Sequence, residues 1–175
     1  MKPTRYSSAQ IGLHWISALL ILLIIALPYG SDLFEPLLSG GAGVFTLHKS
    51  LGLLVLALTL LRLLVRARAG APDLLAGEAP LHRFTAKAGH ALLYLLLVLM
   101  PLSGLLFGKR PVNLFWVLEI PPLPLSGAVR EAAKLFHVTA QYLLFLLILG
   151  HAGAALWHHH VRRDGVLRAM LPERN

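Results

Sequence analysis

Residues 135–160 read LFHVTAQYLLFLLILGHAGAALWHHH. The run is 26 residues long, holds no Asp, Glu, Lys or Arg, and carries five histidines. A helix needs about 20 apolar residues to cross a bilayer core. The stretch therefore reads as a membrane span, and His137 and His151 become the problem to solve. A titratable ring in hydrocarbon costs free energy unless a partner claims its nitrogen.

Working outward, three more segments are long and apolar enough to span. The four predicted spans cover 9–28, 45–65, 87–107 and 134–158 of one domain, 1–175. Composition agrees: 57 % of residues are hydrophobic and 14 % charged, against roughly 25 % charged in a soluble domain. The expected fold is an all-α, integral membrane four-helix bundle. The start, MKPTRYSSAQ followed by IGLHWISALLILLIIALP, imitates a signal peptide. Its apolar run is too long for a signal core and no A-x-A site follows, so it reads as the first retained span.

The net charge of +8 would suit nucleic acid, but the basic residues cluster in the connections. Eleven fall on one side of the predicted bundle (the tails, with Lys2 and Arg174, and the 62–87 connection) and five on the other. Basic loops stay cytoplasmic, so both termini are expected in the cytoplasm and no nucleic-acid partner is expected. The absence of cysteine removes disulfides, thiolate metal sites and covalent haem attachment.

That orientation puts the intramembrane histidines in two layers. His14, His90 and His151 lie toward the cytoplasm, and His48 and His137 toward the outer face. His137 and His151 are 14 residues apart, which is about 21 Å of rise and about 40° off one helical face. One helix thus offers a ring to each layer. His48 is placed to meet His137, and His14 to meet His151, as two bis-histidine haem b sites. Small residues one turn away (Ala18, Gly52, Ala155, and Ala140 at i+3) leave room for a porphyrin edge, although small residues also mark tight helix packing. Tyr94 stands one turn from His90, which favours a supporting role for His90 over ligation. Arg62 suits either a haem propionate or simple snorkelling at the helix end. Trp15, Trp116 and Trp157 fit an aromatic belt as well as pocket walls. His82 reads as a solvated loop residue. His158, His159 and His160 read as an interfacial basic cap, with a metal site as the alternative.

The pattern His14-Trp15, HKSLG (48–52), GHALLYLLLVLMPLSG (89–104), His137 and HAGAALWHHHVRRDGVLRAMLP (151–172) resembles the bacterial dihaem cytochrome b561 family. The resemblance implies a multi-pass protein of the bacterial cytoplasmic membrane. In it, His14 and His151 would ligate an inner haem and His48 and His137 an outer one. It further implies ubiquinone as acceptor and superoxide as a candidate donor. Lys49, Lys109, Arg110, Arg130 and Lys134 are expected on the outer side, either steering such an anion or forming a solvated cap. With every axial position filled by histidine, outer-sphere electron transfer is the chemistry left to the iron. Two alternatives stand beside a stand-alone quinone-linked oxidoreductase. One is a membrane-anchor cytochrome subunit of a dehydrogenase or hydrogenase. The other is a haem-free metal transporter using His158–His160, disfavoured because no carboxylate or thiol lies inside a span.

Overall fold

The computed structural model describes residues 5–74 and 76–172. Lys2 and Arg174, counted above for orientation, lie outside the described residues. Four long helices run as α1 (Ser8–Tyr29), α3 (Gly41–Ala69), α4 (Pro80–Phe107) and α5 (Gly127–Trp157), each apolar and long enough to cross a membrane. A short helix α2 (Ser31–Phe34) follows α1, and a hairpin of β1 (Val112–Leu114) and β2 (Leu118–Ile120) precedes α5.

The helix starts are encoded locally. Ser7 and Gln10 form a reciprocal capping box for α1, with the Gln10 amide N–H donating to Ser7 Oγ and the Ser7 N–H to Gln10 Oε1. Pro80 sits in the first turn of α4, where its missing N–H costs nothing. Ser126 caps α5 through the Val129 N–H. Arg66 and Arg68 occupy the last turn of α3, the favourable end for cations.

Each expected span falls along one of the long helices, and three of these helices outrun it. α3 continues to Ala69, α4 begins at Pro80 and α5 begins at Gly127. Hydropathy marks where the lipid ends; the helical hydrogen-bond ladder does not stop there. The hairpin carried no strand signal in the sequence. Its turn places Phe115 and Trp116 at φ 49° and 60°, where glycine or asparagine is usual. Ser50 of α3 holds it, accepting the Phe115 N–H at 2.8 Å.

α1 packs along α3, and α4 along α5, with α3 against α4 joining the pairs. Among the described residues, α5 makes little close backbone contact with α1 or α3. The middle of the bundle is filled by Val55, Leu96, Leu97 and Leu144, and a second cluster of Leu27, Val44 and Leu51 closes one end. At the opposite end the first half of α1 meets the segment that follows α5: Trp15 Nε1 donates to the Met170 carbonyl at 2.7 Å. That end is called the terminal face below, and the other the hairpin face.

Candidate functional site

α5 carries His137 and His151, and each faces a histidine across the gap that separates α5 from α1 and α3. His14 and His151 have ring centres 6.1 Å apart near the terminal face. His48 and His137 have ring centres 6.4 Å apart near the hairpin face. A metal held between two imidazoles at bonds of about 2 Å puts the ring centres a little over ~6 Å apart. Both pairs have that spacing without adjustment. His90 also approaches His151, at 5.2 Å and nearly perpendicular. That separation is too short for an iron between them, so of the two neighbours of His151 the spacing favours His14.

The hairpin-face pair is set up as metal ligands usually are, with the far nitrogen anchored. His48 Nδ1 lies 3.0 Å from the Ile24 carbonyl. His137 Nδ1 lies 2.9 Å from the Met100 carbonyl and 3.0 Å from Ser103 Oγ, whose own proton goes to Met100. A carbonyl only accepts, so both Nδ1 atoms carry the proton and both Nε2 atoms keep a lone pair. Ser103 and Gly104 were not singled out by sequence. A Cβ at position 104 would come within 3.2 Å of His137 Cε1, so glycine there makes room for the ring. Their only sequence signal is the small pair in MPLSG, which does not reveal that it faces a histidine 34 residues on. At Gly52, one turn from His48, a Cβ would meet no described neighbour within 4 Å.

The terminal-face pair is arranged differently. Arg62 Nη2 lies 3.1 Å from His14 Nδ1, and its guanidinium stands 5.5 Å from the centre of the Tyr94 ring. Arginine only donates, so here His14 Nδ1 accepts and the proton sits on Nε2. Ligation through Nε2 therefore requires Arg62 to turn away and the proton to move. Tyr94, read from the sequence as an obstacle beside His90, is a platform for Arg62. Arg62, Arg66, Tyr94, Tyr6 and Met170 line a cavity of about 20 Å³ at this face. His90 anchors its own Nδ1 on the Ala86 carbonyl at 2.6 Å.

The remaining candidates divide. Lys109, Arg110 and Lys134 are exposed on the hairpin face, and Lys49 is half-buried beside His48. Arg130 is committed to the Gly108 and Leu123 carbonyls and pins the connection between α4 and α5. His82 pairs with Glu78 at 3.3 Å. His158 opens a π-helical turn, His158–Arg162, and bonds Asp164 at 2.5 Å, while His159 and His160 stack edge to face. No group of three metal-ligating side chains converges among the described residues. The triple histidine is thus divided among separate contacts.

Residues 5–173 match the sequence profile of the prokaryotic cytochrome b561 family. The chain is 32 % identical to cytochrome b561 homolog 2 of Escherichia coli, covering 97 % of this chain and 92 % of that protein. It is 32 % identical to cytochrome b562 of Cereibacter sphaeroides (97 % and 96 %). It is 27 % identical to a probable superoxide oxidase CybB of Yersinia pestis (97 % of each). Family and spans together make it a multi-pass electron-transfer protein of the bacterial inner membrane, and the family implies haem b. The chain belongs to the prokaryotic cytochrome b561 family.

Proposed function

We propose that this chain is a dihaem oxidoreductase that carries electrons from an outer-side donor to the membrane quinone pool. The observation that carries the proposal is the pair of facing histidines at each of two depths, at 6.1 and 6.4 Å. His14 and His151 would hold one haem b, and His48 and His137 the other. When bound, each haem would supply a one-electron couple. The charge distribution read from the sequence makes the terminal face cytoplasmic and the hairpin face outer.

The protein's own part is position and electrostatics. Ile24, Met100 and Ser103 orient the outer rings. Val55, Leu96, Leu97 and Leu144 keep water out of the space between the layers. Arg62, once released from His14, is placed with Arg66 to hold carboxylate groups at the inner face.

Superoxide suits the outer donor role, since Lys109, Arg110 and Lys134 raise the local concentration of a small anion. A relative whose name is probable superoxide oxidase adds to that reading. Two superoxide anions give two dioxygen molecules and two electrons; with two protons these convert ubiquinone to ubiquinol.

The test is the optical spectrum of detergent-purified protein, oxidised and dithionite-reduced, with haem counted per chain. Two low-spin b haems support the proposal. One haem makes one histidine pair structural, and none discards the electron-transfer pathway. Rapid mixing of the oxidised protein with superoxide then tests the donor, with haem reduction expected at a rate that falls as salt screens the lysines.

A further inference from the structure

Pro28 lies one residue before the end of α1. Proline has no amide hydrogen, so the carbonyl four residues earlier loses its helical donor. That carbonyl belongs to Ile24, and it is the one that His48 Nδ1 approaches at 3.0 Å. Leu27 and Ile24 pack with Val44 and Leu51 of α3, which fixes the height of α1 against the helix that bears His48. The backbone group freed by the proline and the ring that needs an acceptor therefore arrive at the same place.

We propose that Pro28 is a positioning residue for the outer haem. By withholding an amide from the Ile24 carbonyl, it reserves that acceptor for His48 Nδ1–H and so directs Nε2 toward His137. The inference rests on His48 being an axial ligand. An undivided acceptor on Nδ1–H makes the imidazole a stronger donor and favours ferric over ferrous iron. The opposite ligand is held less exclusively. His137 Nδ1–H is divided between Met100 and Ser103, and the Met100 carbonyl also faces the amide of residue 104, which is not proline. The two histidines would thus be tuned by different means, one by a proline and one by a serine.

Pro28→Ala returns an amide to position 28 in a residue that continues the helix. That amide competes for the Ile24 carbonyl and weakens the bond to His48. In a redox titration of the full-length, haem-loaded protein, one of the two midpoint potentials should rise and the other should stay. The ferric-to-ferrous ratio is expected to change by up to tenfold, which is about 59 mV for one electron. Leu22→Val, on the exposed side of α1, should leave both potentials in place. Selective loss of the outer haem in Pro28→Ala, with the inner one kept, also supports the proposal. Two unchanged potentials in Pro28→Ala overturn it, as does an equal shift in Leu22→Val. A wild-type protein that binds no outer haem, or one that survives His48→Ala, instead removes the reading of His48 as a ligand.

Discussion

His14 and His48 differ in one respect that the fold makes unavoidable: Nδ1 of His48 faces a carbonyl at 3.0 Å, whereas Nδ1 of His14 faces a guanidinium at 3.1 Å. An acceptor in one place and a donor in the other put the imidazole proton on opposite nitrogens. His48 therefore keeps a free Nε2 lone pair at the hairpin face, whereas His14 carries its proton on Nε2 at the terminal face.

Loss of a ligand should empty one layer only. His48→Ala or His137→Ala is expected to leave one haem per chain, held by His14 and His151; His14→Ala or His151→Ala should leave the other. Haem content and the reduced spectrum read the result. Should His90→Ala abolish the inner haem while His14→Ala spares it, the spacing argument against His90 is wrong.

The order of loading should follow the tautomers. Titrating apoprotein with haem should fill the outer site first, because the inner site must break a charged hydrogen bond worth about 1.5–3 kcal/mol. Arg62→Met should load the inner site faster, and also release it faster, because no guanidinium then holds a carboxylate. Stopped-flow haem capture and transfer to apomyoglobin measure the two rates. An unchanged capture rate would remove Arg62 as the barrier.

Gly104 gives His137 its room. A Cβ there comes within 3.2 Å of Cε1 and 3.5 Å of Nδ1, so Gly104→Ala asks for a small shift of the ring. Gly104→Leu overpacks the site at a cost of about 1–3 kcal/mol and should lower outer-haem occupancy with the inner haem retained. Equal loss of both haems in Gly104→Leu would point to a general packing defect instead.

The four spans were legible because hydrocarbon imposes a length and a polarity that few sequences imitate. The two histidine layers were legible too, since depth along a span follows from counting residues. Partners drawn from the backbone were not. Nothing near His137 signals the Met100 carbonyl, and nothing near His48 signals Ile24. The hairpin escaped because its strands are three residues each and its turn uses Phe115 and Trp116 where the usual turn residues would have announced it. Arg130 read as one of five outer cations; only the folded connection shows its guanidinium occupied by two carbonyls.

Acid should loosen the terminal face. Glu78, before α4, bonds Arg162 at the end of α5 and also His82. The hydrogen bond from Arg162, and then that from His82, hold its carboxyl down from the ordinary 4.5 to about 2. A carboxylate whose folded pKa is depressed stabilises the fold above its unfolded pKa and loses that contribution as pH falls toward the folded one. The contribution of Glu78 is thus complete above about pH 5 and fades between about pH 4.5 and 2. Glu78→Gln should lower the thermal midpoint at pH 7, and the deficit against wild type should shrink as pH falls through that window. A deficit that is constant with pH would assign the effect to packing.

Both layers draw one histidine from α5, the last long helix to be synthesised. A ribosome that stalls before residue 137 has already made His14, His48 and His90, yet neither facing pair can form. With His137 and His151 as ligands, cofactor capture waits for α5, and a nascent chain should stay colourless until that helix has entered the bilayer.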